Sequence, residues 1–304
     1  MASVQVAASR RPSLGLLQIG ISVAALAGIV WWGSRQHAPH IPLDAASLSE
    51  LAGALGLYGV ATALRGERWH LILRRAGLDR GRGESYGLTL VGYMGNNALP
   101  ARAGDLMRVM LLGGPRRGVL GTVVAERLLD LCALAAIFLV VVVDRGLSFG
   151  PLPYLVGALV VVLVAAGAFV GLAPRSDRLL RARDWARPAV AACRDLVGAY
   201  GVGLLALSFL LWACEASVYL VVGLAVGVHL GLGALYVMAL ANLSSLVPAA
   251  PGYIGTFDGA VLYALRSLHH PPLGYLLVLR FVLFVPITIA GFAVFLARYA
   301  RRRA

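Results

Sequence analysis

Lysine is absent from this 304-residue chain: all 27 basic residues are arginine, set against 14 acidic ones. That excludes Schiff-base chemistry on a lysine amine and the lysine of a phosphate-binding loop. Charge of either sign is scarce, at 13% of residues against about 25% in an ordinary globular domain. With 60% hydrophobic residues and a mean hydropathy of +0.81, the chain lacks the polar surface a soluble protein of this length needs. Three cysteines, Cys132, Cys193 and Cys214, sit in or beside apolar runs without paired spacing, so neither a disulfide framework nor a zinc site is indicated. The six histidines form no HExxH or other ligand spacing, GGPRRG at 113–118 lacks the GK[ST] ending of a phosphate loop, and no GxSxG has a partnered histidine. These absences leave no metal, cofactor or catalytic motif.

What is present is a series of nearly uncharged stretches, each long enough to cross a hydrocarbon core about 30 Å thick. Six spans are predicted at roughly 14–32, 47–64, 118–143, 151–173, 198–228 and 273–298. The first follows Arg10 and Arg11 but ends in WWGSR rather than a small-residue cleavage site, so it reads as a retained helix. Two further apolar segments, 86–114 and 232–268, carry polar, proline- and glycine-bearing centres. A continuous helix would break there. Broken backbone at membrane depth persists only when buried in protein or lining a watery cavity, so both are predicted to be re-entrant helical hairpins.

The arginines test this layout. With the amino terminus cytoplasmic, connection 65–85 holds Arg65, Arg68, Arg74, Arg75, Arg80 and Arg82 inside, connection 174–197 holds six more, and 301–303 adds RRR. Only Arg35, Arg145 and Arg266 then fall outside, as the positive-inside rule requires. The bias closes only if 86–114 enters and leaves by the cytoplasmic face and 232–268 by the outer face. A pI near 10.5 is therefore a topology signal and not a nucleic-acid footprint. The pattern helix, helix, hairpin, helix occurs twice in opposed orientation, about 14–143 and 151–298. The hairpin centres also read alike: Pro100-Ala101-Arg102-Ala103-Gly104 against Pro248-Ala249-Ala250-Pro251-Gly252. The expected fold is thus an all-α polytopic membrane protein, one membrane domain over 1–304, built as an inverted-topology repeat. Only RYARRRA follows the last span, so no soluble catalytic domain is expected.

Ionisable residues at membrane depth require a partner or a task. ERLLD places Glu126 and Asp130 on one helix face, with Arg127 about 100° away. Glu215, Arg280, Asp105, Arg108 and Asp258 lie in other spans or hairpins. One reading is that acids and arginines simply pair and lock the helices, Glu126 or Asp130 with Arg280. The other is an anion site, because guanidinium forks suit phosphate and hairpin helix ends add backbone donors. On that reading Arg102, Arg127 and Arg280, with Asn96 and Asn97, line a polar cavity. Arg108 either joins them or snorkels to the cytoplasmic surface. Glu215 and Asp258 are proton-carrier candidates or packing residues, and bending is expected at Gly104 and Gly252, beside Pro100 and Pro248.

RGERW at 65–69, NNALPARAGDLMRVMLL at 96–112, ERLLD at 126–130 and SSLVPAAPGYIGTFDGAVL at 244–262 resemble the flippase-like membrane domain family. That family comprises the transmembrane region of lysylphosphatidylglycerol synthases and its stand-alone relatives. The likeness extends over roughly 14–298; Asp105 stands where the family usually has glutamate, and Asp258 fills the family's acidic position. It implies movement of large-headgroup lipids between leaflets: aminoacylated phosphatidylglycerol, polyprenyl-phosphate sugars or related lipids. Three functions follow as expectations. The first is a flippase or carrier for an anionic-headgroup lipid in the bacterial cytoplasmic membrane. The second is a scaffold for a glycosyltransferase or lipid synthase. The third is a membrane-embedded headgroup enzyme using Glu126, Asp130 or Asp105 as acid or base.

Overall fold

The computed structural model describes residues 44–147 apart from 79 and 101, isolated positions between 187 and 196, and residues 198–299 apart from 247–249, 271 and 272. The spans expected at 14–32 and 151–173, most of connection 174–197, the tail 301–303, Cys193 and the expected hinge Pro248 lie outside the described residues. Among the described residues every regular element is helical.

Helix α1 (Ala45–Arg75) starts where the Asp44 carboxylate accepts a hydrogen bond from the Ser47 N–H at 2.8 Å. It runs one unbroken course past the expected end at residue 64. Arg65 and Arg68, read from the sequence as residues of a cytoplasmic connection, are instead inside the helix and buried. The correction has a clear cause: each finds a carboxylate in the bundle, so neither has to seek water.

Helix α2 (Arg82–Ala98) stops because Leu99 precedes Pro100 and is driven to extended backbone (φ −116°, ψ 148°). Arg102 then adopts the left-handed conformation (φ 56°), and α3 (Ala103–Leu112) runs back against α2. The chain direction thus reverses on Arg102, whereas the sequence pointed to Gly104. Gly104 is helical and serves close approach: a Cβ there would overlap the Gly92 carbonyl oxygen and the Asn96 backbone nitrogen. Gly113 and Gly114, both at positive φ, lead through Pro115 into α4 (Arg116–Arg145), which Gly146 ends in the αL conformation.

The second half repeats this plan. Helix α5 (Ala199–Ala225) precedes α6 (Gly233–Ser244), a 3-10 turn (Pro251–Tyr253), α7 (Thr256–Ser267) and α8 (Leu273–Arg298). Gly252 supplies a positive φ of 61° in the turn, where bending was expected. Asp258 accepts from the Gly255 N–H at 3.0 Å and so caps α7. Helix pairing is reciprocal: α1 packs on α5, the helix after the first doubled-back pair (α4) packs on α6, and the helix after the second (α8) packs on α2. Gly291 of α8 permits that last approach, since a Cβ there would meet the Leu90 carbonyl of α2.

Helices α1, α5 and α8 are each long and apolar enough to cross a bilayer. Helix α4, with 30 residues, spans about 45 Å, but Glu126, Arg127 and Asp130 interrupt its apolar run. Leu210, Phe281, Ile289 and Phe292 remain more than half exposed, which suits an apolar solvent and not water.

Candidate functional site

The two doubled-back pairs meet tip to tip. Arg102, at the first tip, donates from Nη1 to the Ser245 carbonyl at 3.1 Å, and its guanidinium stacks 5.7 Å from the Tyr253 ring centre. Gly252, at the second tip, faces the Asn97 carbonyl, and Arg280 donates to the Gly252 carbonyl at 3.2 Å. Asn97 is tied to α8 by its amide, which donates to Thr288 Oγ1 at 2.8 Å.

Behind the tips lies a chain of buried ion pairs. Arg68 of α1 is fully buried, 2.7 Å from Asp130 and 3.5 Å from Glu126, and donates to Ser208 Oγ of α5 at 2.8 Å. Arg108 donates to Glu126 at 2.7 Å with its guanidinium 3.9 Å above Trp69. It is buried, so the surface position does not apply. Arg127 donates to Asp105 at 2.9 Å and to Asp130 at 3.2 Å. Asp105 also lies 3.5 Å from Arg102, and Asn96 donates to it at 3.4 Å. Arg65 pairs with Glu215 across α1 and α5, and Arg280 binds Asp258 through two nitrogens, one at 2.9 Å. Glu126 and Asp130 do share one face, as their spacing requires, but their shared partner is Arg68. The expected pairing with Arg280 is not formed, because α1 lies against α4 at that depth while Arg280 is held by α7.

These pairs enclose a cavity of about 70 Å³ between the tips and helices α1, α4, α5 and α8. Of the residues predicted to line a polar site, Asn97, Arg102, Arg127, Asp130 and Glu215 reach it. Asn96, Asp105, Arg108 and Glu126 stand behind them, and Arg280 and Asp258 are screened by Phe257 and Phe284. Arg280 stacks 4.7 Å from the Phe284 ring centre and 5.6 Å from that of Phe257. Arg65 also faces the cavity, clamped between Tyr93 and Trp212 at 5.5 and 5.2 Å. Sequence reasoning missed Arg65 and Arg68. A signal was present: Tyr58, Ala61, Arg65, Arg68 and Ile72 recur at 3- and 4-residue intervals, one helix stripe. Arg65 and Arg68 share that stripe with buried residues.

Four buried nitrogens of cavity-lining residues have no hydrogen-bond acceptor: Arg65 Nη1, Arg102 Nε, Arg127 Nε and Trp212 Nε1. Buried donors are normally satisfied, and all four are donors. Two carboxylate oxygens of the lining, Asp130 Oδ1 and Glu215 Oε2, likewise make no hydrogen bond although each stands in an ion pair, so the cavity presents donors and acceptors together.

The profile of the family described as "Lysylphosphatidylglycerol synthase TM region" matches residues 16–291. The protein "Glycosyltransferase AglD" of Haloferax volcanii is 25% identical over 274 residues, a match covering 72% of this chain and 43% of that protein. The chain thus spans less than half the length of this curated relative. No solved structure matches. A buried arginine–carboxylate bundle of long apolar helices, with a family profile over nearly its whole length, makes this chain a membrane protein that belongs to the family of lysylphosphatidylglycerol synthase transmembrane regions.

Proposed function

We propose that the chain is a lipid flippase or carrier of the bacterial cytoplasmic membrane, moving a lipid with an anionic headgroup between leaflets. It is read as one membrane domain of two inverted repeats, with six crossings, both termini cytoplasmic, and α2–α3 and α6–α7 entering from opposite faces as re-entrant hairpins. The observation that carries the reading is the set of unsatisfied guanidinium and indole donors around a cavity where the two hairpin tips meet. Guanidinium is the side chain best matched to phosphate oxygens, and ionisable groups this deep mark a transport path. An apolar groove of about 290 Å³ between α1, α2 and α8, lined by Leu55, Gly59, Leu90 and Ile287, shares Tyr58 with the polar cavity. Its place suits the hydrocarbon chain of a lipid whose headgroup enters the cavity. No bond-making step is assigned to the chain. Glu215, which faces the cavity, is the first choice for a proton-coupling group and Asp258 the second.

Arg102 is the residue to test, because Arg127 and Arg280 each hold carboxylates whose release would disturb the fold. In proteoliposomes, Arg102→Gln is expected to slow headgroup translocation at least tenfold while the variant keeps its thermal unfolding midpoint. Undiminished translocation would sink the proposal. A scaffold role for a glycosyltransferase is favoured by the name of the Haloferax relative. It predicts co-purification with such an enzyme and no lipid movement by the chain alone.

A further inference from the structure

The bundle is closed unevenly. Helix α8 lies close along α2, where Gly291 lets the backbones approach, and α1 lies close along α5, but α1 and α8 touch only lightly. At the seam between them Gly59 of α1 is exposed, and a Cβ there would meet nothing within 4 Å. Pro286 stands opposite on α8, where it removes a rung from the helix hydrogen-bond ladder. A helix bends most easily at such a point.

This seam holds the apolar groove of about 290 Å³. Its walls include Leu55, Gly59, Ala63, Leu90, Pro286 and Ile287. Two of its hydroxyl groups are engaged within the protein: Thr62 donates to the Tyr58 carbonyl at 2.8 Å and Tyr86 to Glu67 at 3.0 Å. What the groove presents to the bilayer is therefore hydrocarbon. Lipid chains, as apolar as leucine, meet such a wall without the cost water would impose.

Behind the groove lies the polar cavity, and among the described residues one side chain belongs to both walls: Tyr58. It is buried and stands two turns before Arg65 on α1. On α8 the same boundary is crossed within one turn, from Phe284 in the cavity to Ile287 in the groove. Tyrosine suits a boundary of this kind, with an apolar ring and a polar tip. Room for the ring to turn aside exists at Gly59, whose missing side chain leaves the groove open.

We propose that the seam between α1 and α8 is a lateral portal joining the polar cavity to the bilayer, with Tyr58 as the side chain that closes it. The occupant of the groove is a hydrocarbon chain of a membrane lipid, which stays in the bilayer while the polar end of the same molecule passes Tyr58. That a lipid passes rests on the carrier reading; the opening itself rests on the packing of α1, α2 and α8.

The test uses the full chain in vesicles. Cys132→Ala, Cys193→Ala and Cys214→Ala remove the native thiols, and Leu246→Cys places one in the cavity wall. The probe is N-(1-pyrenyl)maleimide dissolved in the bilayer. Tyr58→Ala is expected to raise the labelling rate of this parent at least tenfold. Gly59→Trp, which fills the groove from a position with open space, is expected to lower the rate at least tenfold and to keep the thermal unfolding midpoint. Gly53→Trp, at an exposed position on α1 outside the groove, is expected to change neither. Equal labelling of the Gly59→Trp and parent chains overturns the portal, as does an equal loss in Gly53→Trp. A fall in the unfolding midpoint of Gly59→Trp also overturns it, since another part of the chain or a second copy would then fill the groove. Tyr58→Ala removes a buried ring, so if that variant fails to fold the two glycine variants still decide. Lipid translocation in proteoliposomes separates the portal from the carrier reading. The expected order of labelling without any translocation would remove the carrier reading and keep the portal. Translocation and labelling both untouched by Gly59→Trp would remove the portal alone.

Discussion

Glu126→Gln is expected to destabilise the protein by about 3–5 kcal/mol, the range for breaking a buried pair so that charge is left uncompensated. Glu126 is fully buried between Arg108 at 2.7 Å and Arg68 at 3.5 Å. The amide keeps the shape but removes the charge, and its NH2 cannot accept from either guanidinium. Arg68, Arg102, Arg108 and Arg127 would then share only Asp105 and Asp130. The informative variant is the double one. Adding Arg68→Met to Glu126→Gln removes one cation with one anion and so restores the net charge of the cluster, and it should recover stability rather than subtract more. Residues sharing one network depart from additivity by about 0.5–3 kcal/mol in such cycles. Unfolding of the full chain in detergent micelles, read for both single variants and the double, measures the coupling. A double variant as unstable as the sum of its parents would show that these charges do not act as one network. The surface pair supplies the control: Glu67→Gln, opposite an Arg82 that is 63% exposed, should change stability by less than about 1 kcal/mol.

The second large effect is expected at Gly104. Gly104→Ala should cost about 3 kcal/mol, at or beyond the upper end for overpacking a well-filled interior. The added Cβ would fall on the Gly92 carbonyl oxygen and the Asn96 backbone nitrogen of α2, and side-chain rotation cannot move backbone atoms. Relief requires α2 and α3 to separate. Separation would carry Arg102 away from Ser245 and Arg127 away from its 2.9 Å bond to Asp105. Stability and lipid binding are therefore expected to fall together. Gly56→Ala is the matched comparison. Gly56 is an exposed position on α1 with nothing within 4 Å of a new Cβ. There the substitution should be neutral or stabilising by up to about 1 kcal/mol, since alanine is the better helix former. Equal losses at the two glycines would mean that the doubled-back pair is not held by close backbone contact.

The asymmetry between these two glycines bears on how the site is held. Arg102 reverses the chain in a conformation that disfavours most side chains (φ 56°), and it also stands in an ion pair with Asp105. Close packing at Gly104 and the carbonyl of Ser245 together fix that residue, with its Nε 3.5 Å from Asp105.

Much of this arrangement was legible without coordinates. Proline after Leu99, glycine at 252 and the apolar arms on either side declared both doubled-back pairs, because backbone conformation is a local property. The four-residue spacing of Glu126 and Asp130 put them on one face, since the helix period is fixed. Arg127, about 100° round the helix, reaches another neighbour, Asp105, while it also donates to Asp130. Partner choice was not legible. Arg65 meets Glu215 150 positions further on, and Arg68 takes the place that spacing alone left open to Arg280. Such pairings depend on the rotation and depth of one helix against another, which hydropathy and spacing along a single strand of sequence do not encode. The same gap explains why two arginines were read as a loop: an arginine looks alike in water and in a bundle until the carboxylate that neutralises it is brought alongside. Composition and periodicity alone therefore determined a membrane bundle of broken helices carrying embedded charge. Only the tertiary packing decided which arginine stands beside which carboxylate, because charge balance is a sum over neighbours in space.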